Sequence, residues 1–219
     1  MRIVNIIIDR FFILLLVILF VIGAYCIYDS VYLQRIGLAA GVYKPTKTNP
    51  EEYMKIGDEC IGWVTIKNTS IDYPIMHAED NLKYLNTAPD GSYSLAGSVF
   101  LDWQNKPDFS DKYNLIHGHH MESGMFGFLD LFVDKEYFET HKEAELTYNG
   151  EMHSATVFAF VIADANEKIL FDVTYEGQYE YIKSKATYFE EPVNKEKIVC
   201  LSTCKDPGTT QRTMLFISL

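Results

Sequence analysis

Eighteen consecutive residues, Phe11 to Tyr28 (FFILLLVILFVIGAYCIY), carry neither a charge nor a strong helix breaker. A run of that length and polarity has one stable home, a helix crossing a bilayer, because lipid leaves the backbone no partner but itself. It exceeds the apolar core of a secretory signal, and Gly23-Ala24 followed by Tyr25 makes a poor cleavage site. The run therefore predicts an uncleaved, single-pass signal anchor within residues 1–29. Arg2 and Arg10 precede it, partly offset by Asp9, and Asp29 follows. That bias predicts a cytoplasmic N-terminus and about 190 residues outside the cell.

Beyond the anchor, residues 30–56 read as a helical extension. Ser30–Gly41 is moderately helical, Pro45 to Pro50 interrupts it, and Asn49 is placed to cap a further turn opening at Pro50-Glu51-Glu52. From residue 57 the pattern turns to strands. Ile61–Ile66 and Ile71–Met76 flank a four-residue turn, with Pro74 demoting the second to an edge or strand end. Gly97–Leu101, Tyr113–His117, and the pair Ala144–Tyr148 and His153–Ala163 about Asn149-Gly150 continue the series. Met125–Phe138 and Gln178–Phe189 show helical spacing. About eight strands with scattered helices and no βαβ rhythm predict a mostly β, mostly antiparallel eight-stranded barrel with peripheral helices over 57–219.

The closing stretch, Ile198–Leu219 (IVCLSTCKDPGTTQRTMLFISL), places reactive side chains. Two apolar strands flank the turn chemistry of Lys205–Thr210. Antiparallel pairing would set Cys204, at the end of one, opposite Arg212, near the start of the other. A thiol beside a guanidinium suggests a thiolate poised for attack with donors for a developing oxyanion. The stretch Asn114–Phe126 (NLIHGHHMESGMF) supplies histidines, and Gly118 lets the chain turn so that His119 reaches the sheet rim. Ser202 shares the strand parity of Cys204.

Composition narrows the classes. A formal charge of −11 excludes a sequence-independent grip on nucleic acid. The four cysteines, Cys26, Cys60, Cys200 and Cys204, are too few and too irregular for a disulfide framework. Cys200 and Cys204 would lie about 13 Å apart along a strand, beyond disulfide reach. Cys60 with Cys200 stays open beside the alternative of two buried free thiols.

LSTC followed eight residues later by Arg212, with a GHH turn 85 residues upstream of Cys204, resembles the sortases, membrane-anchored cysteine transpeptidases of Gram-positive surfaces. DNLKYLN, DGSYSLAGSVFLDWQN and NLIHGHHMESGMF, with a helix ahead of the closing strands, resemble class B in particular. The likeness runs from about Gly57 to Leu219. It implies Cys204 as nucleophile, His119 as acid/base partner and Arg212 as oxyanion stabiliser. It also implies substrate contacts at Asn81, Leu85 and Ser202, with Asp164–Tyr188 walling the cleft. The implied substrates are secreted proteins bearing a C-terminal sorting signal, the acceptor is a peptidoglycan amine, and no metal or organic cofactor is required.

Three positions depart from the pattern: Cys200 replaces a Thr, His117 stands where a Tyr is common, and Lys205 where an acid can occur. The last two bear on substrate choice. Asp206 is a candidate for orienting His119. Three alternatives compete with cell-wall anchoring. One is a pilin-polymerising class B enzyme, and another is a non-catalytic surface protein on the same fold. The third is a zinc site drawn from His117, His119, His120 and Cys204, which no metal-ligand spacing supports.

Overall fold

The computed structural model describes residues 2–121, 124–204 and 210–219, and for residues 2–3, 29–40 and Cys204 the backbone alone. It divides into two units, residues 1–38 and 39–219. Helix α1, Arg2–Val42, is unbroken, so the anchor and the first part of the expected extension form one helix. Its stretch Val4–Tyr28 is 25 residues long and, despite Asp9 and Arg10 near its start, apolar enough to cross a membrane. The expected second helical turn is a 3₁₀ segment, Glu52–Ile56, with Glu51 rather than Asn49 at the N-cap position and no side-chain cap. Asn49 is instead locked into a turn, exchanging backbone hydrogen bonds with Thr46 at 3.0 and 3.2 Å.

The second unit is a β-barrel. Its strands are β1 (Cys60–Ile66), β2 (Asp72–Met76), β3 (Phe100–Leu101), β4 (Tyr113–His117), β5 (His120–Met121), β6 (Gly124–Met125), β7 (Glu143–Tyr148), β8 (Glu151–Asp164), β9 (Tyr188–Phe189), β10 (Ile198–Cys204) and β11 (Gln211–Ser218). Eight of these close a ring in the order β1-β2-β3-β4-β10-β11-β8-β7, because β11 pairs with β8 as well as β10. β9 adds an edge to β8, and β5-β6 is a separate ribbon. The ring is mixed rather than purely antiparallel: β4 runs parallel to β10, and β2 to β3. Pro74 is tolerated because β3 meets β2 at Met76 alone, so its missing N–H falls where the neighbour has not begun. The β7–β8 hairpin turns on Asn149 and Gly150, both at positive φ (51° and 73°), as an Asn-Gly turn requires.

Alternation along the strands sorts residues between two faces. Val64, Ile66, Ile116, Leu146, Val199, Leu201, Leu215 and Ile217 fill the barrel interior with Phe126, Leu129 and Phe132. The last three come from a 3₁₀ helix, Phe126–Val133, followed by α2 (Lys135–Thr140). The expected single helix over 125–138 is thus split at Asp134, whose carboxylate caps the Tyr137 amide. On the outer face Leu115, Cys200, Met214 and Phe216 are covered by Leu170 of α3 (Lys168–Phe171) and Ile182 of α4 (Gln178–Lys185). The pattern expected as one helix to Phe189 ends at Lys185, and Tyr188–Phe189 joins the sheet as β9. Cys60 and Cys200 are free thiols, both buried. Burial pushes the Cys60 thiol up to about 12 and the Cys200 thiol well above its ordinary value.

Candidate active site

The outer face of β10 and β11 is apolar up to Cys200 and Met214, where the helical cover stops, and polar beyond. Ser202 and Cys204 follow Cys200 at the strand period, and the register pairs Cys204 with Arg212 directly across the ladder. The antiparallel ladder fixes that pairing, since residues directly opposite share a face. β4 brings the histidine segment to the same rim: being parallel to β10, it ends where β10 ends, with His117 beside Ser202. A pocket of about 400 Å³ opens there, lined by Asn81, Leu85, His117, His119, Ser202 and Arg212 among others.

His119 sits just past β4 on a loop held at several points. The Gly118 amide donates to the Ser202 carbonyl at 3.1 Å, and the Phe126 amide donates to the His119 carbonyl at 3.1 Å. The need for glycine at 118 is packing rather than an unusual turn, because a Cβ there would fall 2.6 Å from the Phe126 ring. The imidazole Nε2 lies 2.9 Å from the Leu85 carbonyl oxygen. A carbonyl can only accept, so Nε2 carries the proton and Nδ1 is the nitrogen left for proton transfer.

The neighbouring histidines are engaged elsewhere. His120 Nε2 bonds Asp130 Oδ2 at 2.8 Å, and the buried Thr213 hydroxyl donates to Asp130 Oδ1 at 2.8 Å. Asp130 thereby stitches the His119 loop to the strand that carries Arg212. His117 Nε2 bonds Asp102 at 2.9 Å. The three rings thus point to three different partners, Asp102, the Leu85 carbonyl and Asp130.

Arg212 is half-buried, with Nη1 donating to its neighbour's carbonyl (Gln211) at 3.3 Å. No salt bridge joins it to a carboxylate among the described residues. Its strand start is pinned by Thr210, whose hydroxyl donates to Asp164 at 2.6 Å and whose carbonyl accepts from the Ala165 amide at 2.7 Å. The Thr210 hydroxyl, the Asn166 amide and the Arg212 charge hold the Asp164 carboxyl below its ordinary range. Within the expected wall, Ala165 and Phe171 line the pocket.

Asn81 and Leu85 line the pocket on either side of Leu82, and both have internal duties. The Asn81 amide donates to Asp102 at 2.8 Å and accepts from the Trp103 backbone at 2.9 Å, while Leu85 holds His119 through its carbonyl. Lys205 and Asp206 lie outside the described residues. Asp102, Asp130 and Thr213 are the site residues that the sequence alone did not single out.

The barrel that carries this rim is shared with known structures. A class B sortase of Streptococcus pyogenes involved in pilus biogenesis is 37% identical with a TM-score of 0.68, the match covering 75% of this chain and 95% of that one. The chain belongs to the class B sortases. Sortase B of Listeria monocytogenes is 29% identical over 163 residues, a match spanning 70% of this sortase and 65% of that relative's length. The Staphylococcus aureus sortase B–substrate complex shares the fold at a TM-score of 0.70, with 22% identity over 86% of this chain and 92% of that one. No family model matches this sortase.

Proposed function

We propose that this class B sortase is a cysteine transpeptidase that cleaves a C-terminal sorting signal of secreted proteins and passes the new end to a peptidoglycan amine. The observation that carries the reading is the rim itself: Cys204 pairs with Arg212, and His119 and Arg212 line one pocket. In the first half-reaction the Cys204 thiolate attacks a backbone carbonyl and the electron pair moves onto oxygen. Arg212 offers its N–H donors to that oxyanion, an interaction whose loss typically costs about 3–4 kcal/mol in the barrier. His119, as imidazolium, gives the Nδ1 proton to the departing amine as the C–N bond breaks and a thioester remains. The neutral imidazole then takes a proton from the incoming amine as the thioester is resolved. Neither half needs a metal or organic cofactor. The helix at Val4–Tyr28 would hold the enzyme at the cell membrane with its N-terminus cytoplasmic and the barrel outside.

A second acceptor is favoured by the Streptococcus pyogenes neighbour, which takes part in pilus biogenesis. In that case the amine belongs to a lysine of another pilin rather than to peptidoglycan.

Both readings are tested with the full-length enzyme in detergent and a set of sorting-signal peptides. Cys204→Ala abolishes cleavage while the fold, read by circular dichroism, stays intact. Arg212→Lys loses most turnover, because a point ammonium cannot reproduce the planar fork. Wild-type cleavage by Cys204→Ala overturns the assignment, and wild-type turnover by Arg212→Lys removes Arg212 from the oxyanion role. Products formed with a peptidoglycan-type amine or a pilin lysine separate the two acceptors.

A further inference from the structure

The pocket contains a polar device that the chemistry above leaves unused. Asp102, just past β3, is 5% exposed, yet both its oxygens are occupied. Oδ1 accepts from the Gln104 amide at 3.0 Å, and Oδ2 accepts from Asn81 Nδ2 at 2.8 Å and from His117 Nε2 at 2.9 Å. With its carboxylate ionised, Asp102 has no proton to give, so the N–H of the pair sits on His117 Nε2. The ring is also packed on Phe100, with centroids 5.2 Å apart and planes at 37°. Its tautomer and its plane are therefore both set from behind. In the neutral ring the remaining nitrogen, Nδ1, holds a lone pair and has no hydrogen-bond partner among the described residues. His117 lines the pocket, and the β4–β10 register puts it next to Ser202, on the face that leads to Cys204.

We propose that His117, held in this tautomer by Asp102, is a specificity-determining residue that accepts a hydrogen bond at Nδ1 from a donor-bearing side chain of the substrate, a carboxamide or a hydroxyl. The inference rests on the transpeptidase reading and deepens it. A carboxylate side chain would meet a lone pair backed by the Asp102 charge, and an aliphatic one would leave the acceptor stranded on binding. A site built to hydrogen-bond its substrate rejects analogues without the matching group far more strongly than a hydrophobic slot rejects a missing methylene. The partly open position of this ring sets the expected discrimination at about 10- to 100-fold.

The test is a scan of short fluorogenic sorting-signal peptides against the full-length enzyme in detergent at about pH 8, where an ordinary imidazole is neutral. Each position is varied over Asn, Gln, Ser, Thr, Asp, Glu, Leu and Met. The wild type favours Asn, Gln, Ser or Thr at one position by about 10-fold or more in kcat/KM over Leu, Asp or Glu. His117→Phe flattens that preference, with the change carried mainly by KM. Asp102→Asn, nearly isosteric, frees the tautomer and weakens the same preference. A His117→Phe enzyme that keeps the wild-type ranking overturns the proposal, as does a wild type that ranks carboxylate side chains first. Should the wild type cleave none of the peptides, transpeptidation itself fails and this inference falls with it.

Discussion

Gly127 offers the sharpest test of how the His119 loop is held. It lies in the 3₁₀ helix over Phe126–Val133, and a Cβ built on it would stand 1.8 Å from the Met121 carbonyl oxygen. Real Cβ contacts almost never fall under 3.0 Å, so Gly127→Ala must drive the two backbones apart by about 1.2 Å. Both partners are main chain, so neither can swing aside. The adjoining bond from the Phe126 amide to the His119 carbonyl, 3.1 Å long, cannot absorb that displacement. Overpacking of about 1–3 kcal/mol plus a lost hydrogen bond of about 1 kcal/mol gives ~3 kcal/mol. For a folded unit of this size that corresponds to a fall in Tm of about 6–12 °C. A shift of about 1 Å in the His119 imidazole also costs about 100-fold in kcat/KM under the proposed mechanism. Thermal denaturation and peptide cleavage measure the two effects. Gly124→Ala, in the neighbouring β5-β6 ribbon, is the control: its Cβ meets nothing within 4 Å among the described residues, so Tm and rate stay near the wild type. A Gly127→Ala protein as stable and active as Gly124→Ala refutes the account of a loop wedged against the helix.

Two further outcomes follow from the packing. Thr213→Val removes the buried donor to Asp130 and lowers Tm by about 2–4 °C, for ~1 kcal/mol. Combined with His120→Leu the losses are non-additive, because both donors serve one carboxylate. Strict additivity in the double-mutant cycle would show that Asp130 does not link loop to strand. The Cys60 thiol, pushed up to about 12 by burial, stays protonated in the fold where an exposed thiol ionises. The unfolded chain therefore loses this proton first, and stability declines as pH rises from about 9 toward 12. Urea midpoints across that range fall for the wild type and less steeply for Cys60→Val. An equal slope in the two proteins would contradict the assignment.

The strand pattern and the Cys204–Arg212 pairing were legible because both follow from local rules, a period of two and a short antiparallel connection. The mixed ring was not. Nothing in Tyr113–His117 or Ile198–Cys204 announces that these strands lie side by side in parallel across a gap of 80 residues, a fact of topology rather than of propensity. The split at Asp134 was available as a cap signal but was outweighed by the continuous apolar spacing on either side. Asp102 and Asp130 carry no local signature because their partners, His117 and Asn81, His120 and Thr213, come from elsewhere in the chain. Side-chain pairing across a fold leaves no periodic trace.

The parallel contact between β4 and β10 also dictates when the groove can exist. β10 is the staple between β4 and β11, and β11 alone joins that half of the ring to β8. A nascent chain that has reached only Lys197 holds its histidine loop beside an open seam, without thiol, guanidinium or floor. Under the proposed mechanism the thiol and the guanidinium are therefore both late additions, brought to the histidine loop only when the β10–β11 hairpin closes the ring.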